Sequence, residues 1–224
     1  SLTGTLEMAS PPSISVELVH NFSLIHDDIE DNDKVRRHKP TLWTIWGIPK
    51  AIITGNSILV LGNKVLNNMT KNGSTEKDLF LSQKILTESY LKMMEGQFLD
   101  ISFEKEKNIS LEKYLKMISL KTGALIECSV TLGAIASKKD IDNFLYNLVS
   151  TFGRDIGLLF QIRDDLLGVW GTDKTGKPVG ADIKRKKKSL PIILSLSSEN
   201  KSASEKINEI LSKQGLEQED ENDI

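Results

Sequence analysis

An all-α fold is what this sequence predicts, and three observations predict it. The six prolines stand at 11, 12, 40, 49, 178 and 191, so Ala51 to Lys177 contains none of the residue that breaks helical hydrogen bonding. Apolar residues in that stretch recur at helical period, while strict alternation of the strand type is scarce. Gly, Asn and Ser punctuate it where helices stop and start.

Taken in order, the periodic segments are Ser13 to Val35, Pro49 to Asn68 and Glu76 to Phe103, the last preceded by an Asn72-Gly73 stop and a Ser74/Glu76 start. Ser110, with Glu112 and Lys113 behind it, starts Ser110 to Ser119. Thr122 to Ser137, Asp140 to Val169 and Leu190 to Leu196 follow. Beyond Ser197 the chain turns polar, offers one weak helix from Ser204 to Leu211, and ends in LEQEDENDI, the composition of a disordered acidic tail. The expected organisation is one helical core over residues 1–197 and a tail over 198–224.

A chain of 224 residues can bury a sizeable core as one domain. Its hydrophobic share of 39%, charged share of 27% and net charge of −2 give no global pull toward nucleic acid or anionic membranes, so any polyanion must be gripped locally. No run of 18 apolar residues exists, and the most apolar stretch, Ala51 to Gly62, is interrupted by Thr54, Gly55, Asn56 and Ser57; no transmembrane segment is expected. The opening SLTGTLEMASPP has neither the basic start nor the apolar centre of a secretory signal, and it lacks an initiator Met. Cys128, the single cysteine, reads as a small buried hydrophobe in a reducing, cytoplasmic compartment.

Two acidic clusters stand out. His26-Asp27-Asp28-Ile29-Glu30-Asp31 closes an apolar helical segment, and Asp27 and Asp31, four apart, stack their carboxylates on one face. Like charges at that spacing, at the negative end of a helix dipole, are unfavourable without a cation or partner; oxygen ligands so placed suit Mg²⁺. Lys34, Arg36, Arg37, His38 and Lys39 follow at once, and guanidinium groups bind phosphate oxygens in pairs. Without further information, a solvated charged loop explains this block equally well. His20 lies on the same stripe; its spacing fits a hydrogen-bonded histidine at the core edge as well as a cleft residue. The second cluster, Gln161-Ile162-Arg163-Asp164-Asp165, ends another apolar helix with Gln161 on the face of the two acids. A Gly- and Lys-rich loop (171–182) and the basic run Lys184 to Lys188 come next. The recurrence of acids followed by bases points to both clusters serving one cavity, where Mg²⁺ bridges carboxylates to a diphosphate.

The motifs LIHDDIEDNDKVRRHKPT (24–41), GQFLD (96–100), Lys121-Thr122-Gly123 and FQIRDDLLGVWGTDKTGKPVGADIKRKKKSLP (160–191) resemble, in order, those of the trans-isoprenyl diphosphate synthases, the polyprenyl synthetase type that makes farnesyl and geranylgeranyl diphosphates. The resemblance runs through most of residues 13–195. It implies a bundle of antiparallel helices around a deep cavity, usually in a homodimer. It implies that Asp27, Asp31 and Asp164 ligate three Mg²⁺ ions holding an allylic diphosphate, with Asp28 and Asp165 in support. By the same resemblance Arg36, Lys121, Thr122, Gln161, Lys177 and Lys187 contact the allylic substrate, and Arg37 and His20 contact isopentenyl diphosphate. The chemistry implied is ionisation of the allylic diphosphate, attack by the isopentenyl double bond and loss of a proton, with no nucleic-acid partner. Alone, Lys121-Thr122 would read as a helix break before Gly123, and Gln97 and Asp100 fit hydrogen bonding inside a bundle equally well.

The chain departs from the family pattern in places. The upstream Gly-Gly-Lys-x-x-Arg-Pro segment and the helices beyond the second motif do not occur in it, so the resemblance implies a core incomplete at both ends. Gly168 stands where a third acid is common, His38 where a glycine follows the Arg pair, and Lys186 where a glycine precedes the family lysine. Bulky residues just before the first motif limit product length in the family. Phe22 therefore implies a fifteen- or twenty-carbon product, although ideal helical spacing puts Ser23 under Asp27. A class I terpene cyclase is the competing enzyme reading, but no Asn-Ser-Glu metal motif is visible; a non-catalytic partner subunit of a synthase is the competing non-enzyme reading.

Overall fold

The computed structural model describes residues 5–104, 106, 108–137, 141–171, 183, 187–198 and 201–212. Apart from one two-stranded hairpin, the regular structure among the described residues is helical. The chain divides into two compact units, residues 1–92 with 124–154, and 93–123 with 155–224.

The first unit is built on α1 (Leu6–Glu30). Thr5 caps it by accepting a hydrogen bond from the Met8 N–H, at 3.3 Å, so the helix begins well before the expected Ser13 and runs straight through Pro11 and Pro12. Pro11 has no N–H for the carbonyl of Glu7, and the Asn72 side chain supplies one instead, donating to that oxygen at 2.6 Å. The helix ends at Glu30, earlier than the expected Val35, because Asn32 takes a left-handed φ of 58°. Val35–Arg36 (β1) and Lys39–Pro40 (β2) then form an antiparallel hairpin, followed by α2 (Leu42–Trp46). Helix α3 (Ile48–Leu66) carries Pro49 in its first turn, where a missing N–H costs nothing, and continues as a short 3₁₀ turn, Asn67–Met69.

Helices α1 and α3 pack closely at Gly62, where an added Cβ would lie 3.2 Å from the carbonyl oxygen of Ser15, and Ser15 Oγ donates to the Gly62 carbonyl at 2.7 Å. Val19, Ala51, Leu66 and Met69 are fully buried beside them. Helix α4 (Glu76–Phe103) begins in this unit and has the expected bounds. α6 (Ala124–Ile135) and the start of α7 (Asn143–Trp170) complete it. Cys128 is fully buried in α6, and that burial pushes its thiol up to about 12.

In the second unit the end of α4 meets α5 (Leu111–Ile118), capped by Ser110, and a π-helical turn, Ser119–Gly123. Lys121-Thr122, which alone would read as a helix break, lies where the helix does not stop but widens by about one residue per turn. Two glycines make room for it. A Cβ on Gly96 of α4 would fall 2.2 Å from the Lys121 nitrogen, and one on Gly157 of α7 would fall 2.6 Å from the Gly123 Cα. Phe103, Ile109, Tyr114, Met117, Ile118 and Ile193 form the core, with α8 (Leu190–Leu196) and α9 (Lys201–Ser212) after it. The weak helix expected over Ser204 to Leu211 is thus real and slightly longer, while the tail beyond 212 lies outside the described residues. One helical run, Leu111–Ile135, is long and apolar enough by length and composition to cross a membrane; half of its most apolar window is buried inside the protein.

Candidate functional site

The first acidic cluster sits where α1 ends. Asp28 is 5% exposed, Asp27 half-buried and Asp31 exposed. The hairpin returns Arg36 onto them: its Nε donates to Asp28 Oδ1 at 2.6 Å and its Nη2 to Asp27 Oδ2 at 3.1 Å. Burial pushes the Asp28 carboxyl above its ordinary value, and Arg36 pulls it back; burial likewise opposes the Arg36 charge, but the two aspartates outweigh it and raise its pKa. Arg36 thus supplies a cation from within the chain to the adjacent pair Asp27 and Asp28.

Two left-handed residues, Arg37 (φ 49°) and His38 (φ 62°), form the tip of the hairpin and are exposed. Both central residues at positive φ is the turn whose twist matches a two-residue hairpin, and it is the conformation that glycine adopts most readily. The loop before the hairpin is tied down as well: Thr41 Oγ1 and Trp43 Nε1 each donate to the Asp33 carbonyl at 2.7 Å.

Upstream on α1, His20 and Ser23 are half-buried, with Ser23 Oγ donating to the His20 carbonyl at 2.8 Å. Phe22 is 4% exposed, and its ring meets His26 edge-on with centroids 4.7 Å apart. His26 lies over Gly55 of α3, where a Cβ would clash at 2.4 Å from Nε2. Helical spacing alone gave no reason to single out His26 or Gly55.

In the second unit, α7 ends in a different environment. Asp165 is 1% exposed and accepts from three neutral donors: the Tyr114 hydroxyl at 2.6 Å, the Leu190 N–H at 2.8 Å and Gln161 Nε2 at 2.9 Å. Leu190 opens α8, whose cap residue Ser189 makes no side-chain cap bond, so Asp165 serves as a remote cap for that helix. Gln161 Oε1 in turn accepts from Thr122 Oγ1 at 2.6 Å, and Lys121 Nζ donates to Asp100 Oδ2 at 2.5 Å. Burial, then the charge of Asp165, raise the Tyr114 pKa far above its ordinary value, so the hydroxyl stays a donor.

Asp100, Tyr114, Lys121, Gln161, Asp165 and Lys187 share one cleft. Asp164, next to Asp165, is half-buried, and Lys177 lies outside the described residues. Among the described residues no three His, Cys, Asp or Glu side chains gather as a metal centre. Tyr114 was not singled out by sequence pattern, because a tyrosine on the apolar face of an amphipathic helix looks like any core residue until its partner is seen.

The polyprenyl synthetase family model matches residues 3–224. The chain is 37% identical over 203 residues to a geranylgeranyl diphosphate synthase of Mycobacterium tuberculosis, covering 90% of this chain and 56% of the relative. It is 39% identical over 186 residues to a geranylfarnesyl diphosphate synthase of Aeropyrum pernix, covering 83% and 58% respectively. A crystal structure of geranylgeranyl pyrophosphate synthetase from Pyrococcus horikoshii superposes with a TM-score of 0.87 at 31% identity, covering all of this chain and 66% of that one. The chain thus spans less than two thirds of the length of each.

Proposed function

The chain belongs to the polyprenyl synthetase family, and on that premise we propose that it is a magnesium-dependent trans-prenyltransferase, condensing isopentenyl diphosphate with an allylic diphosphate to a product of fifteen or twenty carbons. The observation that supports this best is the pair of helix ends that carry adjacent aspartates close to basic side chains: Asp27 and Asp28 ion-paired with Arg36 at the end of α1, and Asp165 lining one cleft with Lys121 and Lys187 in the second unit.

The donors fit Mg²⁺. Asp27, Asp31 and Asp164 present hard carboxylate oxygens that are not fully buried, and the Asp27–Asp28 pair already holds a cation in Arg36. When bound, Mg²⁺ would neutralise the charge that develops on a departing diphosphate. We assign Asp27, Asp31 and Asp164 to hold it, with Asp28 and Asp165 fixing their neighbours.

The chain's own residues do the rest. Lys121 and Lys187 place cationic donors at the cleft, where they stabilise diphosphate in the ionising state more than in the ground state. Gln161 and Thr122, bonded to each other, orient polar atoms from α7 and the π turn. Arg36, Arg37 and His20 are assigned to substrate diphosphates and Phe22 to the limit on product length; the proton leaves with the diphosphate. We assign the active form to a homodimer.

The test is incubation of the purified chain with isopentenyl diphosphate and dimethylallyl, geranyl or farnesyl diphosphate, with and without Mg²⁺, and identification of products by mass. The expected result is a Mg²⁺-dependent product longer by five-carbon units. No product from any pairing, in a folded chain, would reject the activity for this chain.

A further inference from the structure

We infer that Tyr114 is a positioning residue for prenyl transfer, acting through Asp165 on Gln161 and Thr122; this rests on the prenyltransferase reading proposed above. The geometry starts from Asp165, a carboxylate 1% exposed to solvent. An ionised carboxylate can only accept, so every group facing it must donate. That rule sets the direction of a whole chain of hydrogen bonds.

Tyr114 must turn its hydroxyl proton to Asp165 Oδ2, where the Leu190 N–H also points, at 2.6 and 2.8 Å. Gln161 must turn its nitrogen to Oδ1, at 2.9 Å, which leaves its carbonyl oxygen toward Thr122. Thr122 must then give its one proton to that oxygen, at 2.6 Å. One amide rotamer and one hydroxyl rotamer are therefore tied to the Tyr114–Asp165 pair, which lines the same cleft as Gln161. Tyr114 is the member of the chain anchored in the apolar core, packed with Met117, Ile118 and Ile193 and itself 1% exposed. It also joins three elements, α5 through its own backbone, α7 through Asp165, and the start of α8 through the shared acceptor. Lys187 lies three residues before Leu190 and lines the same cleft.

A tyrosine serving only to fill the core would be replaced by Phe at no cost to the site. Tyr114→Phe removes one oxygen and keeps the ring. The expected result, measured on the full chain with Mg²⁺, is a kcat lower by about 10- to 100-fold, the usual effect of losing an outer partner of a site residue. The KM for isopentenyl diphosphate should stay near that of wild type, and the affinity for inorganic pyrophosphate with Mg²⁺, read by calorimetry, should weaken by about tenfold or more.

In a cycle with Gln161→Ala, the double variant should lose little more than the worse single variant, because both act through one chain. Placing p-aminophenylalanine at 114, which restores a donor, should recover most of the loss. Wild-type kcat and pyrophosphate affinity in Tyr114→Phe, or losses that multiply in the double variant, would overturn the role while leaving the activity standing. A wild-type chain that neither binds pyrophosphate with Mg²⁺ nor forms product would instead remove the prenyltransferase reading, and this role with it.

Discussion

Two helix ends in this protein face one electrostatic problem, adjacent aspartates at the negative pole of a helix, and solve it differently. At the end of α1 the charges of Asp27 and Asp28 are met by the charge of Arg36, held on a hairpin and still about a third exposed at its side chain. At the end of α7 the charge of Asp165 is met by a buried hydroxyl and by a half-buried amide and backbone N–H, all without net charge. The first arrangement leaves the Asp27 carboxylate partly open to solvent while Asp28 beside it is buried. The second consumes the carboxylate and turns it into a structural joint. Adjacent aspartates in a motif are thus not interchangeable: burial and the donors within reach decide what each one holds.

Breaking the buried joint should have the largest effect. Asp165→Leu strands one buried and two half-buried donors, and it is expected to lower the unfolding free energy by about 3–5 kcal/mol, read by denaturant titration. Asp27→Asn should do the reverse, lowering kcat by about 10²- to 10³-fold, the scale for losing one transition-state electrostatic contact, while the thermal midpoint hardly moves. Should Asp27→Asn unfold the protein as Asp165→Leu does, the contrast between the two ends is wrong.

A smaller effect is expected from Gly96→Ala. Its Cβ would meet the Lys121 backbone at 2.2 Å, so α4 and the π turn must separate, at about 1–3 kcal/mol of stability and with a loss of activity from the displaced Lys121. Paired thermal melts and assays read both. The smallest change sharpens the α1 end: His38→Gly relieves a left-handed conformation in the hairpin that carries Arg36, and it should raise the unfolding free energy by about 1 kcal/mol without loss of activity. A variant destabilised by that change would show that the histidine side chain, not the turn, holds the hairpin.

Much of this was legible in the chain itself, because its causes are local. Helical period, cap residues and an Asn-Gly stop belong to neighbours in sequence, and Glu76–Phe103 and Leu190–Leu196 fall where those signals put them. The aspartate clusters, the trailing bases and the motif order are likewise properties of the string, and they sufficed to point to the family. The missed features depend on distant partners. Pro11 and Pro12 are tolerated inside α1 where the Asn72 side chain, 65 residues from Glu7, replaces one absent donor. Lys121 and Thr122 belong to a π turn because Gly96 and Gly157 leave space for its backbone.

The amino-acid sequence by itself determined the helical class and the placement of paired acids at helix ends, since propensity and periodicity act over a few residues. Which acid stays near water and which is sealed was decided only by the tertiary structure. Burial and the supply of donors come from packing, and Tyr114 reaches Asp165 across 51 positions of chain.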